Sequence, residues 1–580
     1  MKEFFIKINK SDLNKKAEII SNEIEEYHNE VIVTGDIRIE NKDNIVDLEN
    51  CNKDISDKDL VLKLYLKYGK QFVEIITGAF AIVIHDRREQ ILLLFRDNFG
   101  QKNIYFTDQN DCFHVSSSIK GIFENSSVPK EMNIERVIDF IAHTHSPSSE
   151  TFFKNIYNLG PAKTLELCES NIEINSYVPE VNYTAKDVKE IFFEAIDATK
   201  DENFGCMLSG GLDSSSISIA SQILNKEPLN VFSIVFPQSK SANRNSADEE
   251  EYSTEVAHSY DMKHEKITVT DFNFIENIKK NIEYYDEPYM ATNTYIYEKV
   301  FEQAQKKGIK VILDGTDGDS VISHGTEIFR YYGETFQIKK LLHEKKAYDY
   351  LHNRKFSVLK TILSFVIKPK LPKFLLRLYK RIRNQDFFVY QNNLLHKNFK
   401  KDLTDLYSSV DEIHEIDQSF NNFSEKAHYQ MVYKSHWHEV FNILNTIGGK
   451  YGIEVRYPFF YQGLVDFCIK TPVHKKIKNG VTRYYFREGL KKILPKKIYQ
   501  RQSKSDLSPL FLKHFMKLDE NYVEKVFFNK NSPVYNLINQ RSVKKLLDSK
   551  NPNKNLSIIY TFFSLYEWMK KNDFYVDIVK

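Results

Sequence analysis

A chain of 580 residues is longer than one ordinary hydrophobic core organises, so two or more domains are expected and no metal or disulfide is needed to staple the fold. Its 81 Lys plus Arg nearly cancel its 79 Asp plus Glu, and a formal charge of +2 removes bulk electrostatics as a reason to bind nucleic acid. Scattered cysteines without CxxC spacing (Cys51, Cys112, Cys168, Cys206, Cys468), a polar start over 1–10 and no apolar run near the roughly 18 to 20 residues of a bilayer span predict a cytoplasmic protein with no integral membrane segment.

Up to about residue 183, short apolar runs at 31–33, 79–84, 91–95, 104–106 and 113–115 alternate with turn residues and predict strands. Helical spacing behind an acidic start predicts a helix over 59–68, so this part reads as an α+β layer domain. The polar stretch 179–186 is the expected linker. From 188 the rhythm changes to strand, helix, strand, helix: strands at 204–208, 231–236 and 311–313, helices at 213–224 and 248–260. That alternation predicts a parallel sheet covered on both faces. Ligands of such sheets sit beyond the carboxyl ends of the strands, so the loops after Leu208, Phe236 and Leu313 are expected to share one site. Beyond Gly325 the pattern is mainly helical, and a basic stretch over 339–383 is either a solvated helical face or a dock for an acidic peptide or partner.

Leu208, Ser209, Gly210, Gly211, Leu212, Asp213 and Ser214 stand between a predicted strand and a predicted helix. Glycines let backbone N–H groups turn inward there, and the helix start adds partial positive charge, so the loop suits a polyphosphate. It lacks the Gly-Lys-Ser/Thr ending of a Walker loop and places Asp213 beside the phosphates instead. A carboxylate there calls for a cation, and Mg²⁺ bridging it to pyrophosphate oxygens is the expectation. The second carboxylate is expected from Asp314-Gly315-Thr316-Asp317-Gly318-Asp319, a segment that by itself reads as a turn. Asp319 is assigned as the second Mg²⁺ ligand, with Asp317 as the alternative.

With these loops on the page, the chain resembles the asparagine-synthetase family of PP-loop ATP pyrophosphatases nearly end to end. The anchors are Gly78-Ala79-Phe80-Ala81, His85-Asp86, Arg96-Asp97-Asn98-Phe99-Gly100, Phe152-Phe153-Lys154-Asn155-Ile156, Gly160-Pro161, Asp286-Glu287-Pro288, Glu454-Val455-Arg456-Tyr457-Pro458-Phe459 and the stretch 475–488. The resemblance implies an Ntn-hydrolase-like, glutamine-amidotransferase-like sandwich over 1–183. It implies an adenylating PP-loop domain with helical additions over 184–580. Leu208 and Ile234 would frame the adenine of ATP through their backbones, and Gly315 would lie near the ribose. Transfer of AMP to a carboxylate, release of pyrophosphate and attack by an amine would follow.

Glutamine-dependent members of the family begin Met-Cys, the cysteine being the amide-cleaving nucleophile, whereas this chain begins Met1-Lys2-Glu3. The first domain is therefore expected to be a remnant. The segment 317–325 and the tail 501–509 instead resemble lasso-peptide cyclases, macrolactam synthetases that join a peptide's N-terminal amine to its own Asp or Glu side chain. That subtype implies a precursor peptide as substrate, with a leader-peptide protease and a leader-recognition protein as partners. Lys504 is the expected cation for the transition states. His324 is either the acceptor of the amine proton or a buried structural histidine. Asp286 and Glu287 orient substrate or nucleophile, or form an acidic turn without a function. The pairs His143/His145 and His436/His438 lack the companions of a zinc site. Ammonia-dependent asparagine synthesis, a β-lactam-type small-molecule amide synthetase and a non-catalytic scaffold are the alternatives.

Overall fold

Two antiparallel sheets packed face to face come first in the computed structural model. It describes residues 3–576 apart from 11, 14, 16, 22–25, 29, 110, 143–148, 170, 181–184, 186, 237–248, 270–272, 292, 373–374, 376–390, 401–419, 421, 434–436, 503–519 and 549–551. The strands are β1 (Phe4–Asn9), β2 (Glu18–Ser21), β3 (Glu26–His28), β4 (Val31–Ile39), β5 (Gly78–Asp86), β6 (Ile91–Arg96), β7 (Tyr105–Gln109), β8 (Cys112–Ser116), β9 (Tyr157–Asn158), β10 (Lys163–Cys168) and β11 (Asn171–Ser176). They pair in the orders β2-β1-β8-β7-β9 and β11-β10-β6-β5-β4-β3.

Side chains alternate across a strand, and β5 shows what that does. Ala81 and Val83 point between the sheets with Leu92, Leu94, Ile6, Phe106 and Val115. Phe80, Ile82 and Ile84 point the other way, onto Leu60, Val61 and Leu64 of the helix Asp57–Tyr68. Ser56 caps that helix by accepting from Asp59 N, and Asp57 and Asp59 complement its dipole. The start read as polar is in fact β1, with Phe4, Phe5, Ile6 and Ile8 buried; Lys7 keeps its head in solvent, which masked the strand in the sequence.

The second layer system is a five-stranded parallel sheet ordered β14-β13-β12-β15-β16, built from β12 (Phe204–Met207), β13 (Asn230–Val235), β14 (Lys263–Thr268), β15 (Val311–Leu313) and β16 (Glu454–Arg456). Strands β14 and β16 were not anticipated. β14 is a polar edge strand, and β16 has three residues that only distant chain brings beside β15. From β12 the chain moves outward through β13 to β14, then returns to place β15 on the opposite side of β12. The crevice between the ends of β12 and β15 is therefore the topological switch point.

The two parts are knit together by charge and by rings. Buried Arg96 donates to the carbonyls of Lys102 (2.8 Å), Leu159 (2.6 Å) and Gly100 (3.1 Å), while Asp97 accepts from Phe99, Gln101 and Lys102 N. The loop so fixed meets the second part. Phe99 stacks on Tyr433, and Asn98 donates to Gln462 (2.6 Å). Lys102 bridges Asp36 (3.2 Å) of β4 and Glu454 (3.0 Å) of β16. No helix among the described residues is long and apolar enough to cross a membrane.

Candidate active site

The loop after β12 turns sharply because Gly210 adopts φ +78°, and a Cβ there would stand 2.5 Å from the Tyr252 Cβ and 2.8 Å from Ser253 N. Ser209 N donates to Ser214 Oγ (3.1 Å), and Gly211 N to Ser209 Oγ (3.3 Å). These bonds fold the loop on itself ahead of the helix Leu212–Leu224, which follows β12 at the switch point. Leu208 N donates to Phe232 O (2.8 Å), and Leu208 O accepts from Ser233 Oγ (2.5 Å). The Leu208 amide is thus already held by the sheet. By the strand's period of two, Ile234 turns its backbone to the same side as Phe232, one step past the end of β12.

The loop after β15 is in backbone contact with this one. A Cβ on Gly315 would lie 3.0 Å from Ser214 N, 3.3 Å from Ser214 Cα and 3.4 Å from Asp213 C. Only a residue without a side chain lets the two loops approach so closely. Asp314 N donates to Arg456 O on β16, and Asp314 Oδ1 accepts from Thr316 N (3.0 Å). Burial pushes the Asp314 carboxyl up to about 6, and its Oδ2 has no hydrogen-bond partner within normal geometry among the described residues. Asp317 starts the short helix Gly318–Ile322 with φ +55°, and Gly318 leaves room for the Phe459 ring. Asp319 in that helix faces His324, whose Nε2 lies 3.4 Å from its Oδ2.

Asp213 has a cation beside it, but the cation is a side chain. Arg483 Nη1 donates to both oxygens of Asp213, at 2.8 and 2.9 Å. Arg483 holds φ +54° at the start of the helix Tyr484–Leu490. Four residues on, buried Arg487 donates to the carbonyls of Thr482, Ile498, Tyr499 and Arg501, and burial followed by the repulsion of Arg483 brings its guanidinium down to about 10. Arg501 stacks over Tyr252 and donates to Gly210 O (2.9 Å) and Glu249 (2.5 Å). Three arginines therefore tie the segments 482–483 and 498–501 to the loop after β12. Lys504 lies outside the described residues, as do His143, His145 and His436.

Behind the Asp319 loop is a buried clamp. His428 Nε2 donates to Val321 O (2.9 Å) and Ser320 O (3.1 Å), which leaves its Nδ1 to accept from Lys476 Nζ (2.6 Å). Burial lowers Lys476 to about 8, opposed by Glu327. Tyr485 donates to Ile322 O (3.0 Å), Ser323 donates to Glu327 (2.6 Å), and a Cβ on Gly325 would strike Ile477 N.

Three of the expected site residues stand away from the contact of the two loops or in the open. Asp286 is tied within the second part, and Glu287 to the first. Asp286 caps the helix Phe274–Tyr285 at φ +59°; its Oδ1 pairs with Lys571 (3.1 Å), and its carbonyl accepts from Trp568 (2.7 Å). Glu287 is buried and accepts from Phe152 N (2.8 Å), and burial pushes it up to about 7. Each therefore has a structural partner, Asp286 within the second part and Glu287 across to the first, and the orienting role expected of them remains a proposal. His324 is not buried, its side chain being 43% exposed, so the structural alternative for it falls. Arg483, Arg487, His428 and Lys476 went unassigned in the sequence, since a cation in a basic stretch carries no sign of which carboxylate or carbonyl it will meet. His438 is buried, and no group of three or more His, Cys, Asp or Glu placed to hold a metal by itself occurs among the described residues, so a cation here would need phosphate oxygens as well as Asp213 and Asp319.

Residues 187–570 match the asparagine synthase family profile, and residues 27–178 match a glutamine amidotransferase domain. The chain belongs to the asparagine synthase family. Its members are ATP-dependent carbon–nitrogen ligases that form AMP and pyrophosphate. Similar proteins include asparagine synthetase (glutamine-hydrolyzing) 1 of Bacillus subtilis strain 168, 22% identical over 543 residues, covering 89% of this chain and 81% of the relative. Asparagine synthetase (glutamine-hydrolyzing) 3 of that organism is 22% identical over 550 residues, covering 90% and 81%. A Methanocaldococcus jannaschii protein provisionally named asparagine synthetase (glutamine-hydrolyzing) 2 is 29% identical over 281 residues. That match spans 46% of this chain and about half of the relative, 53%. The mixed fold, an amidotransferase-like sandwich followed by a parallel-sheet domain, is that of the family.

Proposed function

We propose that the chain is an ATP-dependent macrolactam synthetase that adenylates an Asp or Glu side chain of a ribosomal peptide and closes it with the peptide's own N-terminal amine. The observation that carries the ligase chemistry is the contact of the Gly315 loop with the Ser214 backbone at the switch point. It supports one site for a nucleotide, flanked by Asp213 on one loop and Asp319 on the other. The peptide subtype rests on the resemblance of the segment 317–325 and of the tail 501–509 to lasso-peptide cyclases.

The donor set suits Mg²⁺, a hard cation that takes carboxylate and phosphate oxygens. Asp213 already keeps a positive group at 2.8 Å, and the buried Asp314 Oδ2 has no hydrogen-bond partner within normal geometry among the described residues. Asp213 and Asp319 would hold the ion, which when bound would neutralise the leaving pyrophosphate. The start of the helix Leu212–Leu224 would offer its first N–H groups to the phosphates, and Arg483 would turn from Asp213 to a phosphate oxygen. The substrate carboxylate attacks the α-phosphorus and pyrophosphate leaves. The amine then attacks the acyl adenylate, AMP leaves, and His324 takes the amine proton. Lys504 would balance charge in both steps.

The test is incubation with ATP, Mg²⁺ and a co-encoded peptide, with AMP, pyrophosphate and peptide mass read together. A peptide lighter by one water, with AMP in equal amount, is the expected result. Asparagine formed from aspartate and ammonia would replace this reading with the second one, which the names of the Bacillus relatives favour. No AMP with any carboxylate would remove the enzyme reading altogether.

A further inference from the structure

Nine of the twenty large apolar side chains that stand exposed among the described residues fall within 336–375. The run 358–367 shows why this is not ordinary surface. Phe365 on its inner side meets the Phe329 ring of the helix Glu327–Glu334, Val366 packs on the same buried cluster, and the Phe365 carbonyl leaves no room for a Cβ on Gly333. On its outer side Leu359 (69%), Leu363 (46%) and Ile367 (45%) recur every fourth residue, with Leu371 beyond them. A surface helix is normally polar on that side. Here both sides are apolar, and the outer one has no partner among the described residues.

Within the stretch itself the exposed charges are basic, and the nearest partly exposed acid on the helix beneath, Glu334, is paired with Arg330. Lys355, Lys360, Lys368 and Lys370 are exposed in the same stretch, and Lys370 Nζ sits 3.5 Å over the exposed Phe336 ring. The two carboxylates within 335–372, Glu344 and Asp349, are buried: one accepts from Gly480 N, the other pairs with Lys345. Exposed aliphatic side chains ringed by lysines, with no exposed acid between them, match an interface that inserts apolar tips among anionic headgroups. We propose that this face docks on an anionic lipid bilayer surface. An acidic peptide fits the charge but not the exposure: a groove covers its lining, whereas Leu359, Phe336 (65%) and Tyr350 (82%) project into solvent. Because the helix Glu327–Glu334 directly follows His324 and Gly325, docking would hold the candidate site one helix away from the membrane.

The experiment is co-sedimentation of the full chain with phosphatidylcholine vesicles, with and without phosphatidylglycerol. Binding is expected only with phosphatidylglycerol and is expected to weaken as salt rises. Leu359→Glu/Leu363→Glu/Ile367→Glu should lower the bound fraction by on the order of tenfold or more at unchanged Tm, since all three side chains are exposed, and Lys355→Glu/Lys360→Glu should do so in part. Failure to bind anionic vesicles, or equal binding by the triple variant, overturns the proposal. Capture of an acidic apolar peptide by this face while vesicles are ignored overturns it in favour of a peptide dock.

Discussion

Gly315→Ala isolates the contact on which the candidate site depends. Gly315 does not occupy the left-handed region, so alanine is compatible with its backbone and the perturbation is purely steric. The new methyl would meet Ser214 N at 3.0 Å and Ser214 Cα at 3.3 Å, backbone atoms of a helix start that cannot swing aside as a side chain would. The loops must separate by a few tenths of an ångström. Since a misplacement of about 1 Å costs roughly 100-fold, this shift should cost about five- to tenfold in kcat/KM, or about 1 kcal/mol. Pyrophosphate release across a Mg²⁺ titration reads the turnover, and Mn²⁺ binding followed by electron paramagnetic resonance reads the site without turnover. Both should weaken while Tm barely moves. Wild-type turnover and ion binding in the alanine variant would mean that the two loops do not serve one site.

Glu287 carries a pH prediction. Its folded value of about 7 lies above the ordinary 4.5, so its contribution to stability is complete below about 4.5 and is lost as pH rises through 7. Glu287→Gln, which mimics the protonated form, should flatten the fall in Tm over that window and gain on the order of 3 kcal/mol at the alkaline end; parallel melting curves would refute the burial argument. Lys102→Met leaves Asp36 and Glu454 without their shared cation and should cost about 3 to 5 kcal/mol in urea unfolding, whereas a cost near zero would show the pair solvated. His428→Ala releases the Ser320 and Val321 carbonyls behind Asp319 and should lower kcat/KM for ATP by about tenfold, with His428→Gln recovering part of it through its amide N–H. Equal activity of the two variants would reduce the clamp to packing.

Much of the fold was legible because its signals are local. The helix predicted over 59–68 runs Asp57–Tyr68, and the strand predicted over 311–313 is Val311–Leu313. Both are set by periodicity and by nearby caps or turns. What escaped was non-local: β1 under its lysine, edge strand β14, and β16, which becomes a strand only because β15 offers it hydrogen-bonding partners. The candidate site divides the same way. Glycines 210 and 315 were readable as close-approach positions, but the partners of Asp213, Asp286 and Glu287 were not, since each partner is distant in the chain.

By itself, the sequence determined that two acidic, glycine-bearing loops follow buried parallel strands, because residue type and spacing settle backbone shape within a few residues. Only the tertiary structure decided which charges meet. It set Arg483 against Asp213, gave Asp286 to Lys571 and Glu287 to the Phe152 amide, left His324 open beside Asp319, and bared an apolar face among lysines. The physical reason is that an ion pair or a burial depends on distance through space, which the whole packed chain sets and no local stretch encodes.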